Sequence, residues 1–498
     1  MALYVFTAII TAVFLLWSQF TRSQRKLSDI PAVTTTVPIL ATIAAFQFLL
    51  KGRDLIQKGY KQSAQYKGRA YRVPELFRWH VIVTGPQMID ELRKCPDDIL
   101  NMDAATAETL QVDHTLGPEI SRNPYHVPLI RNNLTRNLAS LFSGVLDEIV
   151  AACHDNIPSS DDWVAVPALN TMMQVVCRAS NRIFVGLPKC RDPDYIDLNI
   201  HFTVDVVKGA FIINMFPKSL RPLAARLFTN VPGSIQRGIR HLEGIIRERF
   251  KMLEAHGTKW DEKPNDMLSW LMDAAEGGER GIRALVLRVL ALNFSAIHTS
   301  SMSVTQALFH LAANAEYARI LREEIEEIVA QEGWSKDSIQ RMRHLDSFLK
   351  ESQRYHGLAT AFMSRIAKKD FTFSDGTFIP AGTFVSVPTW STHHDEEYYD
   401  DPDTFNPWRF ISKDDEDSQG TTNNMAATSP EYLPFGYGKH ACPGRFFAAN
   451  ELKIILAHLV LTYDIKLEGE TDVPEDLFFA TAILPNPSIK VAFRRRND

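Results

Sequence analysis

The first 21 residues carry no charged side chain, and Leu3, Val5, Phe6, Ile9, Ile10, Val13, Phe14, Leu15, Leu16 and Trp17 form an apolar run within them. A helix needs about 20 such residues to cross the hydrocarbon core of a bilayer, so the pattern predicts a transmembrane anchor over residues 1–21. Arg22, Arg25 and Lys26 follow at once, which by the positive-inside rule leaves the rest of the chain on the cytosolic side. A cleaved signal peptide is the competing reading. It would want a basic stretch ahead of the apolar run and a small-residue cleavage site behind it, and neither is evident. After a linker, 22–38, a shorter apolar stretch from Ile39 to Leu50 runs into Lys51, Arg53, Asp54 and Lys58. That pattern suits an amphipathic helix resting on the body or on the membrane surface better than a second span.

Further along, alternation replaces the long apolar run. Tyr71-Arg-Val and Trp79-His-Val-Ile-Val, ending at Gly85-Pro86, predict a hairpin. Phe371-Thr-Phe and Thr377-Phe-Ile-Pro flank Asp375-Gly376, a dipeptide that favours two-residue turns, and predict another. Helical spacing dominates between these patches. Leu285 to Ala312 is long, apolar and nearly free of breakers, as a central buried helix is. Glu316 to Val329 mixes charge with Ile320, Leu321, Ile325 and Ile328, as a surface helix does. Lys413 to Pro430 is polar and acidic and reads as a solvated loop. The fold class is mainly α with small β-sheets (α+β), and no linker divides residues 39–498, which read as one domain.

Composition adds exclusions. A net charge of -5 speaks against a nucleic-acid binder, although local basic patches leave room for an acidic protein partner. The five cysteines, Cys95, Cys153, Cys177, Cys190 and Cys442, are odd in number, widely spaced and without a Cys-x-x-Cys pair. They are no disulfide framework, and a reducing compartment is favoured. Four of them read as small buried apolar residues.

Cys442 differs by its neighbours. Residues 433 to 449 read Leu-Pro-Phe-Gly-Tyr-Gly-Lys-His-Ala-Cys-Pro-Gly-Arg-Phe-Phe-Ala-Ala. Gly436, Gly438 and Gly444 would let the backbone turn tightly and approach a flat ligand. A helix predicted from Arg445 through Ala457 would lower the thiol pKa and aim N–H groups at sulfur. A thiolate so held suits axial ligation of heme iron. The segment resembles the cytochrome P-450 superfamily signature Phe-x-x-Gly-x-x-x-Cys-x-Gly, carried here by Phe435, Gly438, Cys442 and Gly444. Two further elements fall in family order: Glu351-Ser-Gln-Arg354, and Phe405-Asn-Pro-Trp-Arg-Phe410, similar to the family's Pro-x-Arg-Phe stretch. The resemblance implies a structural triad of Glu351, Arg354 and Arg409 that holds the cysteine loop in place.

The same resemblance implies more. In Ser295-Ala296-Ile297-His298-Thr299-Ser300, Thr299 matches the threonine that bonds dioxygen and helps deliver protons, and Ala296 takes the small position that leaves room for it. His298 departs from the usual acidic residue, but a histidine can relay protons near neutral pH. The alternative for Thr299 is a hydroxyl bonded back to its own helix. Heme b carries two propionates, which His440, Arg365 and Arg131 would bind; the bland reading of each is a solvated cation. Implied too are electrons from NADPH through a flavoprotein reductase, with or without cytochrome b5, a place in the endoplasmic reticulum membrane as a single-pass protein, and insertion of one oxygen atom from O2 into a hydrophobic molecule. The wording around His298 and Cys442 looks like fungal enzymes of specialised metabolism, several of which oxidise terpenoids. Apolar substrate contacts are expected from Met102 to Leu116, Phe202 to Phe216, Phe294, Leu358 to Phe362 and Phe479 to Leu484. Two other readings stay open: a heme-thiolate isomerase or dehydratase, and a non-catalytic heme-binding protein.

Overall fold

The computed structural model describes residues 27–64, 70–76, 78–257, 260–411, 424–469 and 471–496. The expected anchor over 1–21 and most of the polar loop after Lys413 lie outside them. Of the segment read as a linker, Leu27, Ile30 and Val33 are buried against the body.

In chain order the strands are β1 (Tyr71–Glu75), β2 (Arg78–Ile82), β3 (Leu100–Asn101), β4 (Val164–Pro167), β5 (Phe362–Ala367), β6 (Phe371–Thr372), β7 (Phe378–Ile379), β8 (Phe384–Val387), β9 (Tyr463–Leu467), β10 (Leu477–Phe479), β11 (Ala482–Leu484) and β12 (Lys490–Arg495). Both expected hairpins form, β1 with β2 and β6 with β7. The larger sheet has the order β1-β2-β8-β5-β3. It joins the hairpin near the start of the chain to strands some 300 residues later, in one parallel pairing, β2 with β8. Such long-range pairing has no signature in local alternation.

Helices fill the rest. Those that build the site are α1 (Pro38–Ala64), α2 (Thr135–Asn156), α3 (Ala168–Phe184), α4 (Pro193–Asn214), α5 (Ile282–Ala313), α6 (Arg343–Tyr355) and α7 (Arg445–Thr462). With neither glycine nor proline inside it, α5 runs unbroken through the centre. It packs against α3, α4, α6 and α7. Although it is apolar enough to cross a membrane, it is a core helix, with Leu285, Val289, Val304 and Leu308 fully buried.

The structure amends the reading of the helix after the linker. α1 buries Ala41, Ala44, Ala45 and Phe48, yet Ile39, Leu40, Ile43, Phe46 and Leu50 stay 50–75 % exposed. Its first half is apolar on both faces, and the polar character starts at Lys51, where the helix kinks (φ -122, ψ 22).

Candidate active site

Cys442 sits where a loop becomes helix α7. The loop passes through Gly436 and Gly438 at φ +70 and +78, a left-handed conformation that strains residues with a Cβ. Gly438 is closed off as well, since a Cβ there would stand 2.9 Å from the Arg93 side chain. Gly444 departs from the reading of three turn glycines. Its φ is -90, and a Cβ would meet only Ile130, at an ordinary 3.7 Å. The loop closes on itself where the Cys442 N–H donates to the Phe435 carbonyl at 2.8 Å.

Around the sulfur, two opposing effects meet. Burial pushes the Cys442 thiol up, while the N–H groups of Gly444 and Arg445 and the Arg445 guanidinium favour the thiolate. Burial wins, so the expectation that the helix start alone would lower this thiol is corrected. The backbone is arranged for an anion that the apolar surroundings do not permit by themselves. A bound metal cation would resolve that conflict, because a coordinating thiol is deprotonated outright.

Three cations converge beside the loop. Arg131, on the π-helical stretch Leu129–Leu134, donates to the Lys439 carbonyl at 3.1 Å. Arg131, Lys439 and Arg445 line a cavity of about 160 Å³ with Ala441, Pro443 and Phe446. His440 turns elsewhere: its Nε2 lies 2.7 Å from Asp97, which also takes Lys439 at 3.0 Å. Burial raises the Asp97 carboxyl, but His440 and Lys439 bring it below its ordinary value. Neither Asp97 nor Arg445 stood out in the sequence; Arg445 was signalled only by its place three residues after the cysteine.

Arg365 is a buried charge. It is 2 % exposed, and among the described residues it makes no salt bridge. Its guanidinium folds back on the Met363 and Ser364 carbonyls at 3.1 and 2.9 Å. Burial brings it down to about 10. A break in the β5–β8 register between Phe362 and Arg365, with Met363 at φ +57, sets the local course of the strand there. A buried guanidinium with bonding capacity to spare fits a carboxylate ligand.

The triad residues meet. Glu351 takes Arg354 Nε and Nη2 at 2.7 and 2.8 Å, Arg409 Nε at 3.1 Å and the Asn406 N–H at 2.9 Å, all at 0 % exposure for Glu351 and Arg354. Arg354 also donates to the His393 carbonyl at 2.6 Å, and the His393 Nε2 accepts the Leu433 N–H at 3.0 Å. Burial holds His393 well below its ordinary pKa, so it is a neutral acceptor. No local pattern marks His393, which ties the triad to the first residue of the cysteine loop.

On α5, Ser295, Thr299 and Met302 recur at i, i+4 and i+7 as an accessible stripe, exposed at Ser295 and Thr299 and half-buried at Met302, while Ile297, Ser300, Ser301 and Ser303 are buried. The Thr299 hydroxyl donates to the Ser295 and Ala296 carbonyls at 2.8 and 3.2 Å, and Ala296 is half-buried beside it. His298 points to another side. Its Nε2 donates to the Ile200 carbonyl of α4 at 2.8 Å, and burial lowers its pKa. One step along a helix turns a side chain by about 100°, so adjacency to Thr299 in sequence does not place the imidazole beside it. The imidazole is thus committed to a carbonyl of α4 and forms no hydrogen bond with the Thr299 hydroxyl. Of the expected substrate contacts, Phe202 is sealed in the helical core, Phe294 is half-buried one residue before Ser295, and Phe362 and Phe479 are exposed.

The cytochrome P-450 family model matches residues 31–493. Cytochrome P-450 monooxygenase 151 of Postia placenta is 42 % identical over 497 residues, 99 % of this chain and 98 % of that protein. Cytochrome P-450 monooxygenase CYP512U6 of Ganoderma lucidum is 33 % identical, covering 95 % of this chain and 92 % of its own length. Among solved structures, retinoic acid bound cyanobacterial CYP120A1 superposes with a TM-score of 0.67 at 19 % identity, over 91 % of this chain and 96 % of that one.

Proposed function

Given that this chain belongs to the cytochrome P-450 family and is a monooxygenase of it, we propose that it holds heme b through Cys442 and oxidises a hydrophobic small molecule, a terpenoid or another fungal specialised metabolite. The observation that carries the reading is the half-buried Cys442 sulfur, with the N–H groups of Gly444 and Arg445 favouring its thiolate and the Arg445 guanidinium held close by on the Cys442 carbonyl at 3.0 Å. Arg365 supports it as a buried cation free to take a propionate, with Arg131 as a second donor. His440, bound to Asp97, would brace the loop more than hold a propionate. When bound, heme supplies the oxygen activation and electron acceptance that side chains lack. The chain's own residues orient it, exclude water and position protons. The placement of the Thr299 hydroxyl on the accessible stripe of α5 favours oxygen chemistry over an isomerase or dehydratase.

The cationic cavity of Arg131, Lys439 and Arg445 suits an acidic partner surface, in keeping with electrons from NADPH through a flavoprotein reductase or cytochrome b5. The apolar run ahead of Arg22 supports a single-pass anchor in the endoplasmic reticulum membrane with the body in the cytosol. Full-length protein should sediment with membranes, and deletion of residues 1–26 should release most of it. If the shortened protein stays fully bound, the run is not the anchor and the exposed apolar face of α1 is sufficient.

The functional test uses full-length protein with a flavoprotein reductase, NADPH, isotopically labelled O2 and a panel of hydrophobic metabolites. One labelled oxygen atom per product is expected. Thr299→Ala should keep its heme content while the ratio of product to NADPH oxidised falls on the order of tenfold or more, because a positioned proton donor is lost. An unchanged ratio would leave Thr299 a purely structural hydroxyl, and absence of label from every product would overturn the oxygen-inserting reading.

A further inference from the structure

The accessible stripe of α5 has a buried continuation. Ser295, Thr299 and Met302 are followed on the same helix face by Gln306 and His310, at i+11 and i+15, which are only 1 % and 4 % exposed. Both reach one corner of the chain. His310 Nε2 lies 2.8 Å from Nε2 of His356, the residue that caps the end of α6, and His356 Nδ1 lies 2.6 Å from Asp476 Oδ2. Gln306 Nε2 donates to Asp476 Oδ1 at 3.2 Å and to the Gly357 carbonyl at 3.4 Å. A buried polar line holds only when its donors meet acceptors. A carboxylate only accepts, so His356 Nδ1 carries a proton, and in its neutral form that ring offers a bare Nε2 to His310. Burial holds His310 well below its ordinary pKa, so it is neutral, and a proton on its Nε2 completes the line. The His310 ring also stacks on Phe405, with centroids 3.5 Å apart.

Two segments start from this corner. Asp476 is the residue before β10, and Gly357 is the residue before Leu358. The segments are bonded to each other. The Thr360 N–H donates to the Thr481 carbonyl at 2.7 Å, the Ile483 N–H donates to the Leu358 carbonyl at 3.1 Å, and Ala359 pairs with Ala482. They also reach the cysteine loop, since a Cβ on Gly436 would stand 3.5 Å from the Phe362 ring. Residues 358–362, with β10 and β11 bonded to them, thus form a wall from the buried end of the α5 stripe to the loop that carries Cys442. Phe362 and Phe479 give that wall exposed apolar surface.

We propose that Gln306, His310, His356 and Asp476 form a clasp that fixes this wall against α5, and so decides which hydrophobic molecules fit between the Thr299 stripe and the cysteine loop. The inference rests on the heme-holding monooxygenase reading, which puts the substrate in that space. The four side chains act through the wall and are positioning residues. A wall held in place before binding avoids the ordering cost that a loose one adds. Ligands long enough to reach it therefore bind more tightly because of the clasp, and small ones do not.

The test uses full-length, heme-loaded protein. His310→Phe keeps a ring to stack on Phe405 but has no nitrogen to meet His356. His310→Gln returns a polar atom near the Nε2 position. Asp476→Ala cuts the line at its partly exposed end, where folding is least at risk. Amide hydrogen exchange is read first. Thr360 and Ile483 should exchange on the order of tenfold faster in His310→Phe and Asp476→Ala, while β1, β2 and α7 keep wild-type rates. His310→Gln should stay near wild type. Binding to the ferric protein is read second, with imidazole and phenylimidazole as the probes. The preference for phenylimidazole over imidazole should fall about fivefold in the two loosened variants and be kept in His310→Gln. Exchange at wild-type rates, or raised evenly along the chain, overturns the clasp, and so does an unchanged preference. Exchange requires no heme, so local loosening in a protein that bound neither probe would count against the heme-holding reading instead.

Discussion

Cys442→Ala folds but loses the red-shifted Soret band of the reduced, carbon-monoxide-bound protein, and with it all measurable oxygen insertion. The loss is expected to be complete because nothing nearby can substitute. Ala441 and Pro443 carry no donor, and His440 is engaged at 2.7 Å with Asp97, on which Lys439 also converges. The N–H groups of Gly444 and Arg445 would be left aimed at a methyl group. Folding should survive, since the loop's closing bond uses the Cys442 backbone and not its side chain. The spectrum of the reduced complex decides the matter, and a variant that kept the band would remove Cys442 from the centre of the site.

Glu351→Ala is the second large effect, and it acts through stability. Its carboxylate is the shared acceptor of Arg354, Arg409 and the Asn406 N–H. Removing it leaves the fully buried Arg354 guanidinium uncompensated, a change that costs about 3–5 kcal/mol out of a typical total of about 5–15 kcal/mol. The damage should reach the cysteine loop, because Arg354 holds the His393 carbonyl and His393 holds the Leu433 N–H. The expected result is a much reduced yield of heme-loaded protein with a lowered midpoint of thermal unfolding. Arg409→Lys should be milder, because that side chain is partly exposed and Arg354 keeps its own two bonds to Glu351. Wild-type yield and midpoint in Glu351→Ala would show that the triad is dispensable for holding the loop.

Much of this molecule was legible in one dimension. The hairpins β1–β2 and β6–β7 follow from alternation and turn residues, and α5 and α7 from long runs without breakers. The motif around Cys442 announces its own chemistry, because the glycines at Gly436 and Gly438 are needed wherever the chain ends up. Glu351 and Arg354 are three apart on one helix, so their pairing is a local fact that the sequence already contains.

What the tertiary structure decided is direction and environment. Sequence places His298 beside Thr299, but helix geometry sends one to the Ile200 carbonyl and the other to the accessible stripe of α5. The helix start favours a Cys442 thiolate, yet the surrounding packing desolvates the sulfur and reverses the balance. Arg365 reads like any basic residue in a strand until a register break and burial leave it without a salt bridge among the described residues. Backbone propensity and short motifs are set by near neighbours, so the chain specifies its elements and its cysteine loop by itself. Burial, charge compensation and the facing of a side chain depend on segments hundreds of residues away, and only their packing fixes them.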